Sequence, residues 1–119
     1  MATIATYNHT NLEYLELMSD GDCEMIASML EMLAAEIPTE IEKMQVCVKK
    51  RDWNELFELS HKYKTTLSYI GNVEMTNITK TIEVCSRERA SLDDLPELVN
   101  SLERLSKKVM HELKDRIEN

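Results

Sequence analysis

The chain has 119 residues, with 14 Lys and Arg against 22 Asp and Glu, a formal net charge of −8. That length suits one domain around a single core, and an acidic chain with no basic stripe argues against nucleic-acid or anionic-membrane partners. Two Gly, two Pro and one Phe beside abundant Leu, Met, Glu and Lys favour helix over sheet.

No apolar run approaches the ~20 residues a membrane span needs, and no signal peptide is read at the start, so a cytoplasmic location is expected. Cys23, Cys47 and Cys85 are scattered without a CxxC and are expected to be buried, reduced thiols.

Residues 1–9 carry no periodicity and are expected to fray; residues 10–119 are expected to form one domain. Thr10-Asn11-Leu12-Glu13 has the spacing of a capping box and predicts a short first helix carrying Leu12, Tyr14, Leu15 and Met18. Ser19-Asp20-Gly21-Asp22 breaks it and caps a long second helix. There Ile26, Leu30, Leu33, Ile37, Ile41, Met44 and Val48 hold one apolar stripe. The stripe keeps its phase across Pro38, which predicts a kinked but continuous helix. Lys49, Lys50 and Arg51 close it with charges suited to a helix C-terminus.

Asp52-Trp53-Asn54-Glu55 caps a third helix, and Gly71 ends it where a left-handed residue is needed. At 100° per residue, Leu56, Ser60, Tyr63, Leu67 and Ile70 share one side, whereas His61 falls roughly 140° from Leu56 and faces solvent. Lys64, Thr65 and Ser68 share its surface. Asn72 caps a fourth helix with Met75, Ile78, Ile82 and Cys85 inward, and Arg87 to Ala90 is a polar connection. Ser91 or Asp94 caps the last helix, with Pro96 tolerable in its first turn. Leu95, Leu98, Leu102, Leu105, Val109, Leu113 and Ile117 form its stripe. The fold class is therefore all-α: an antiparallel four-helix bundle with a short extra N-terminal helix.

An exposed histidine with a lysine at i+3 is an accessible nucleophile beside a positive charge. The pattern His61-x-x-Lys64 followed by Gly71, within these helices, resembles the histidine-containing phosphotransfer (HPt) domains of two-component phosphorelays. The resemblance spans roughly residues 10–117. It departs from the family at Thr65, where a Gly directly follows the Lys.

Two other readings compete with this one. Most exposed histidines are ordinary surface residues. Glu58-Leu59-Ser60-His61 is also an E-x-x-H, the spacing of di-iron and di-manganese bundles. Neither His9 nor His111 has a Glu three residues earlier, so the second ligand pair is missing and no metal site is expected.

The resemblance implies a phosphorelay intermediate. His61 is expected to accept a phosphoryl group from a receiver-domain aspartate, or from a histidine-kinase pathway, and pass it to a response-regulator aspartate. Lys64, Thr65 and Ser68 are expected to stabilise the phosphoryl group. Glu83 returns to the level of His61 if helices three and four are antiparallel. In the chemotaxis-kinase branch of the family a Glu at this distance orients the imidazole, and a structural salt bridge to Lys62 or Lys80 is the alternative.

The family's docking surface points to Tyr14, Met18, Met25 and Met29 as neighbours of His61. Met at helical spacing also suits the core. No glycine-rich phosphate loop is present, so a phosphocarrier rather than an enzyme is expected, with no cofactor of its own and Mg²⁺ only on the partner receiver domain. Expected partners are receiver domains and a (hybrid) histidine kinase, and the chain is expected to be a monomer. A non-phosphorylated adaptor that keeps the bundle only to bind receivers is the competing function, motivated by Thr65.

Overall fold

The computed structural model describes residues 7–118. The elements are α1 (Glu13–Met18), α2 (Cys23–Lys50), α3 (Trp53–Ile70), α4 (Val73–Glu88), a 3-10 turn (Leu92–Asp94) and α5 (Leu95–Glu118). Among the described residues there is no strand. Helix α2 packs on α3 and α5, and α4 packs on α3 and α5, which closes an antiparallel four-helix bundle; α1 lies against α3.

Local chemistry sets most of the helix ends. The Asp22 carboxylate accepts from the backbone N–H groups of Glu24 and Met25, Asp52 accepts from Glu55, and the Asn72 side chain accepts from Met75. Each satisfies a donor that the first helical turn leaves unpaired. Helices α2, α3 and α4 end on left-handed residues: Arg51 (φ 56), Gly71 (φ 72) and Arg89 (φ 55). The two arginines place cations at the negative ends of their helices. Helix α2 runs unbroken through Pro38.

The core is the inner stripe of each helix. Leu33, Ile37 and Met44 from α2 meet Leu56, Tyr63 and Leu67 from α3, with Met75, Ile82, Leu102 and Val109 closing the far side. Each such fully buried side chain contributes about 1.5–3 kcal/mol of transfer free energy. Burial pushes the Tyr63 phenol well above its usual range, and its hydroxyl donates to the Ile37 carbonyl at 3.4 Å.

Several expectations are corrected. The capping box at Thr10–Glu13 does not form. Helix α1 begins at Glu13 with Leu12 at the cap position and no side-chain cap. Asn11 Oδ1 instead accepts from the Glu13 N–H at 3.0 Å, and buried Thr10 turns its hydroxyl to Glu112 on α5. A tertiary partner has outcompeted the local one. Of the stretch expected to fray, residues 1–6 lie outside the described residues, while residues 7–9 are tied to α5 and α4 by hydrogen bonds.

The inward face of α4 is rotated from the predicted one. Thr79, Glu83 and Ser86 are buried with Met75 and Ile82, while Ile78 and Cys85 are only half-buried. Polar residues are tolerated there because Ser86 Oγ donates to the Ile82 carbonyl and Glu83 is paired; Thr79 Oγ1 has no hydrogen-bond partner among the described residues. Cys23 is exposed at the start of α2, Cys85 is half-buried, and only Cys47 is buried, which raises its thiol pKa. Ser91 precedes the 3-10 turn in a left-handed conformation (φ 51), and the side-chain cap predicted there does not form; the turn runs directly into α5 at Leu95. In the α5 stripe Val99 replaces half-buried Leu98, and Ile117 is 38% exposed.

Candidate functional site

His61 sits near the middle of α3 with its side chain 62% exposed. The Gly71-Asn72 turn sends α4 back along α3, which brings Glu83 beside it. The His61 ring nitrogen Nδ1 lies 2.5 Å from Glu83 Oε2, and Lys64 Nζ lies 2.8 Å from Glu83 Oε1. One buried carboxylate therefore binds both motif residues, one on each oxygen. Burial alone would raise the Glu83 pKa, but the hydrogen bonds from Lys64 and His61, with their charges, outweigh it and hold the carboxyl below its usual value. A carboxylate kept ionised can only accept. In the neutral imidazole this contact favours the proton on Nδ1, which leaves the lone pair on Nε2.

A second contact fixes the plane of the ring. The Phe57 ring, one turn earlier, stacks on the imidazole with centroids 6.0 Å apart and planes 23° from parallel. Phe57 is half-buried. Sequence reading passed over it, although i, i+4 spacing on a helix puts two side chains side by side.

The other predicted site residues separate. Thr65 is exposed at i+4 from His61. Ser68 Oγ donates to the Thr65 carbonyl at 2.5 Å, so its proton is turned to the backbone and away from His61. Lys64 is 30% exposed and engaged by Glu83. The alternative ion pairs of Glu83 with Lys62 or Lys80 do not form. Gly71 has a second reason to be glycine besides its φ: a Cβ there would overlap the Asn11 backbone carbonyl.

Among the expected docking residues, Tyr14 and Met18 on α1 and Met25 at the start of α2 are exposed. Met29 is half-buried against the core. Tyr14 packs against Tyr69 with centroids 5.5 Å apart and rings tilted by 36°, so α1 rides on the Gly71 end of α3. Tyr63 meets Ile37, and counting back along antiparallel α2 puts Met29 about 12 Å further toward that end. Tyr14 and Met29 thus lie toward the Gly71 end, to one side of His61. Leu17, 76% exposed on α1, belongs to the same apolar patch and was not anticipated.

A family model, Hpt domain, matches residues 28–119. The chain belongs to the Hpt family. Membership assigns it a general phosphocarrier role in two-component phosphotransfer relays, whose Hpt domains interact with receiver domains and kinases. The crystal structure of histidine-containing phosphotransfer protein B (HptB) from Pseudomonas aeruginosa PAO1 is similar over 95% of this chain and 97% of that one. The TM-score is 0.84 at 18% identity, which shows a shared fold. No curated protein matches the chain. No helix among the described residues of this Hpt domain is long and apolar enough to cross a membrane.

Proposed function

We propose that His61 is the phosphoryl acceptor of a relay intermediate, taking the group from a receiver phospho-aspartate and giving it to a second receiver. The observation that carries this reading is the pairing of an exposed imidazole, through Nδ1, with a buried ionised carboxylate. The Nε2 lone pair attacks phosphorus in line. The N–P bond forms as the P–O bond of the acyl phosphate breaks, and the electron pair leaves with the aspartate carboxylate. The phosphorylated ring is a cation, and Glu83 keeps the Nδ1 proton in place against it. Delivery reverses the step, with the N–P electrons returning to Nε2. The metal that assists transfer belongs to the receiver, and this chain needs no cofactor of its own.

Lys64 has two calls on its ammonium, Glu83 and the phosphoryl oxygens. A phosphoryl group brings close to two negative charges one helical turn away, enough to draw Lys64 across. Thr65 supplies a further hydroxyl at the same place.

The test is incubation with a phosphorylated receiver and Mg²⁺. Acid-labile, base-stable label on the wild type and none on His61→Gln supports the reading. Receiver binding without label supports the adaptor alternative.

A further inference from the structure

The segment before α1 is held by an arrangement that the chemistry at His61 does not use. It crosses the Gly71 end of the bundle, with the Asn11 N–H donating to the Ile70 carbonyl at 2.7 Å. It is clamped from α5. The His9 backbone N–H donates to both oxygens of Glu112, at 3.0 and 2.9 Å, and Thr10 Oγ1 donates to Glu112 Oε1 at 2.8 Å. Arg116 Nε donates to the same Thr10 hydroxyl at 3.0 Å, and its guanidinium lies 3.9 Å over the Tyr7 ring. Glu112 is only 8% exposed. A carboxylate buried to that degree is stable only with its donors in place.

Helix α1 has six residues, too few to be helical by itself. Its placement on α3 therefore depends on its anchors: Leu12 and Leu15 in the core on one side, and the clamped segment that leads into it on the other. That placement matters for docking. A standard interface buries about 800 Å² per partner, a patch about 16 Å in radius. Tyr69, which carries Tyr14, lies eight residues beyond His61, about 12 Å along α3 and about 80° around it. A receiver centred on His61 therefore reaches α1 and its exposed Tyr14, Leu17 and Met18.

We infer that Glu112 is a remote positioning residue for receiver docking: by clamping His9 and Thr10 it holds the exposed apolar side chains of α1 at the Gly71 end of α3, beside the His61 surface. This rests on the reading of His61 as a receiver-facing phosphoryl acceptor. Glu112 touches no reacting atom, so its loss acts on receiver affinity and leaves the chemistry of the histidine alone.

The experiment measures receiver Kd and transfer KM and kcat for wild type, Glu112→Ala, Glu112→Gln and Thr10→Val. His61 labelling by phosphoramidate, a small donor that needs no docking, is measured alongside. Loss of these buried bonds should raise Kd and KM for Glu112→Ala about five- to tenfold, with kcat and phosphoramidate labelling within about twofold of wild type. Glu112→Gln keeps one acceptor oxygen and should recover part of the loss. A core variant, Val99→Ala, chosen to match any fall in Tm, should leave Kd unchanged, which separates positioning from general destabilisation.

Unchanged Kd in Glu112→Ala, or equal weakening in Val99→Ala, overturns the inference. If Glu112→Ala does not fold, Thr10→Val, which removes one clamp hydroxyl at equal size, decides by the same Kd comparison. Failure of wild type to be labelled by either donor, with Kd still sensitive to Glu112, overturns the phosphoryl-acceptor reading and leaves the clamp standing.

Discussion

His61 Nδ1 and Glu83 Oε2 lie 2.5 Å apart across the α3–α4 interface, although 22 residues separate them in sequence. The contact joins a side chain that faces solvent to one that is buried, so the ring is oriented from inside the bundle while Nε2 stays outside. Replacing Glu83 with Gln removes the ionised acceptor and frees the imidazole tautomer. Transfer through His61 should slow by roughly tenfold or more, as expected for a lost orienting hydrogen bond to a reacting group. Single-turnover transfer from one phosphorylated receiver reads this, and an unchanged rate would show that the ring needs no such partner.

The same carboxylate makes stability depend on acidity. Its pKa is lower in the folded chain than its ordinary value of 4.5. The folded state therefore binds fewer protons than the unfolded state in that range. The stabilisation is fully present above about pH 4.5 and is lost as pH falls through the lower folded value. Urea unfolding of wild type against Glu83→Gln should show the wild-type advantage shrinking as pH falls below 4.5. An advantage that grows on acidification would contradict the assignment.

His61→Gln should abolish the acid-labile label with little change in Tm, because a side chain 62% exposed contributes little to the core. Label that persists in this variant places the phosphoryl group elsewhere.

Thr65 follows Lys64 directly, where the family resemblance leads one to expect Gly. A branched side chain at i+4 stands on the same face of the helix as the imidazole and is stiff about χ1. Thr65→Gly should speed transfer and cost roughly 1 kcal/mol of helix stability. Comparison with Thr65→Val decides the cause: if both variants are slower than wild type, the hydroxyl serves the phosphoryl group and crowding is irrelevant.

The two glycines should differ in what a methyl group costs. Both have positive φ, 73° at Gly21 and 72° at Gly71, but a Cβ at Gly21 meets nothing whereas one at Gly71 overlaps the Asn11 carbonyl. Gly21→Ala should cost about 1 kcal/mol from backbone strain alone, and Gly71→Ala distinctly more, about 2–3 kcal/mol. Equal midpoints in chemical denaturation would mean that the N-terminal segment yields without cost.

The helices of α2, α3 and α5 were legible in the sequence because apolar spacing of three and four residues is a local signal. The caps at Asp22, Asp52 and Asn72 were legible because each is satisfied within three residues of itself. His61 was legible as an exposed group from helical angle alone, and its Lys64 and Gly71 spacing pointed to the family. Glu83 was reached only by assuming that α4 returns antiparallel from Gly71, and its choice of partners was left open.

What lay beyond the sequence depended on which side chain wins a shared partner. Thr10 has the spacing of a cap, yet it bonds Glu112, 102 residues away. Lys64 binds Glu83 because the two helices bring an ammonium within 2.8 Å of a carboxylate already removed from water. Residues 7–9 fold onto α5 because Glu112 and Asp115 accept from them. Period and capping are properties of neighbours along the chain, so sequence alone determined the apolar stripes of α2, α3 and α5 and the exposure of His61. Long-range polar pairing is a competition between distant groups in a low-dielectric setting, and only the tertiary structure decided it.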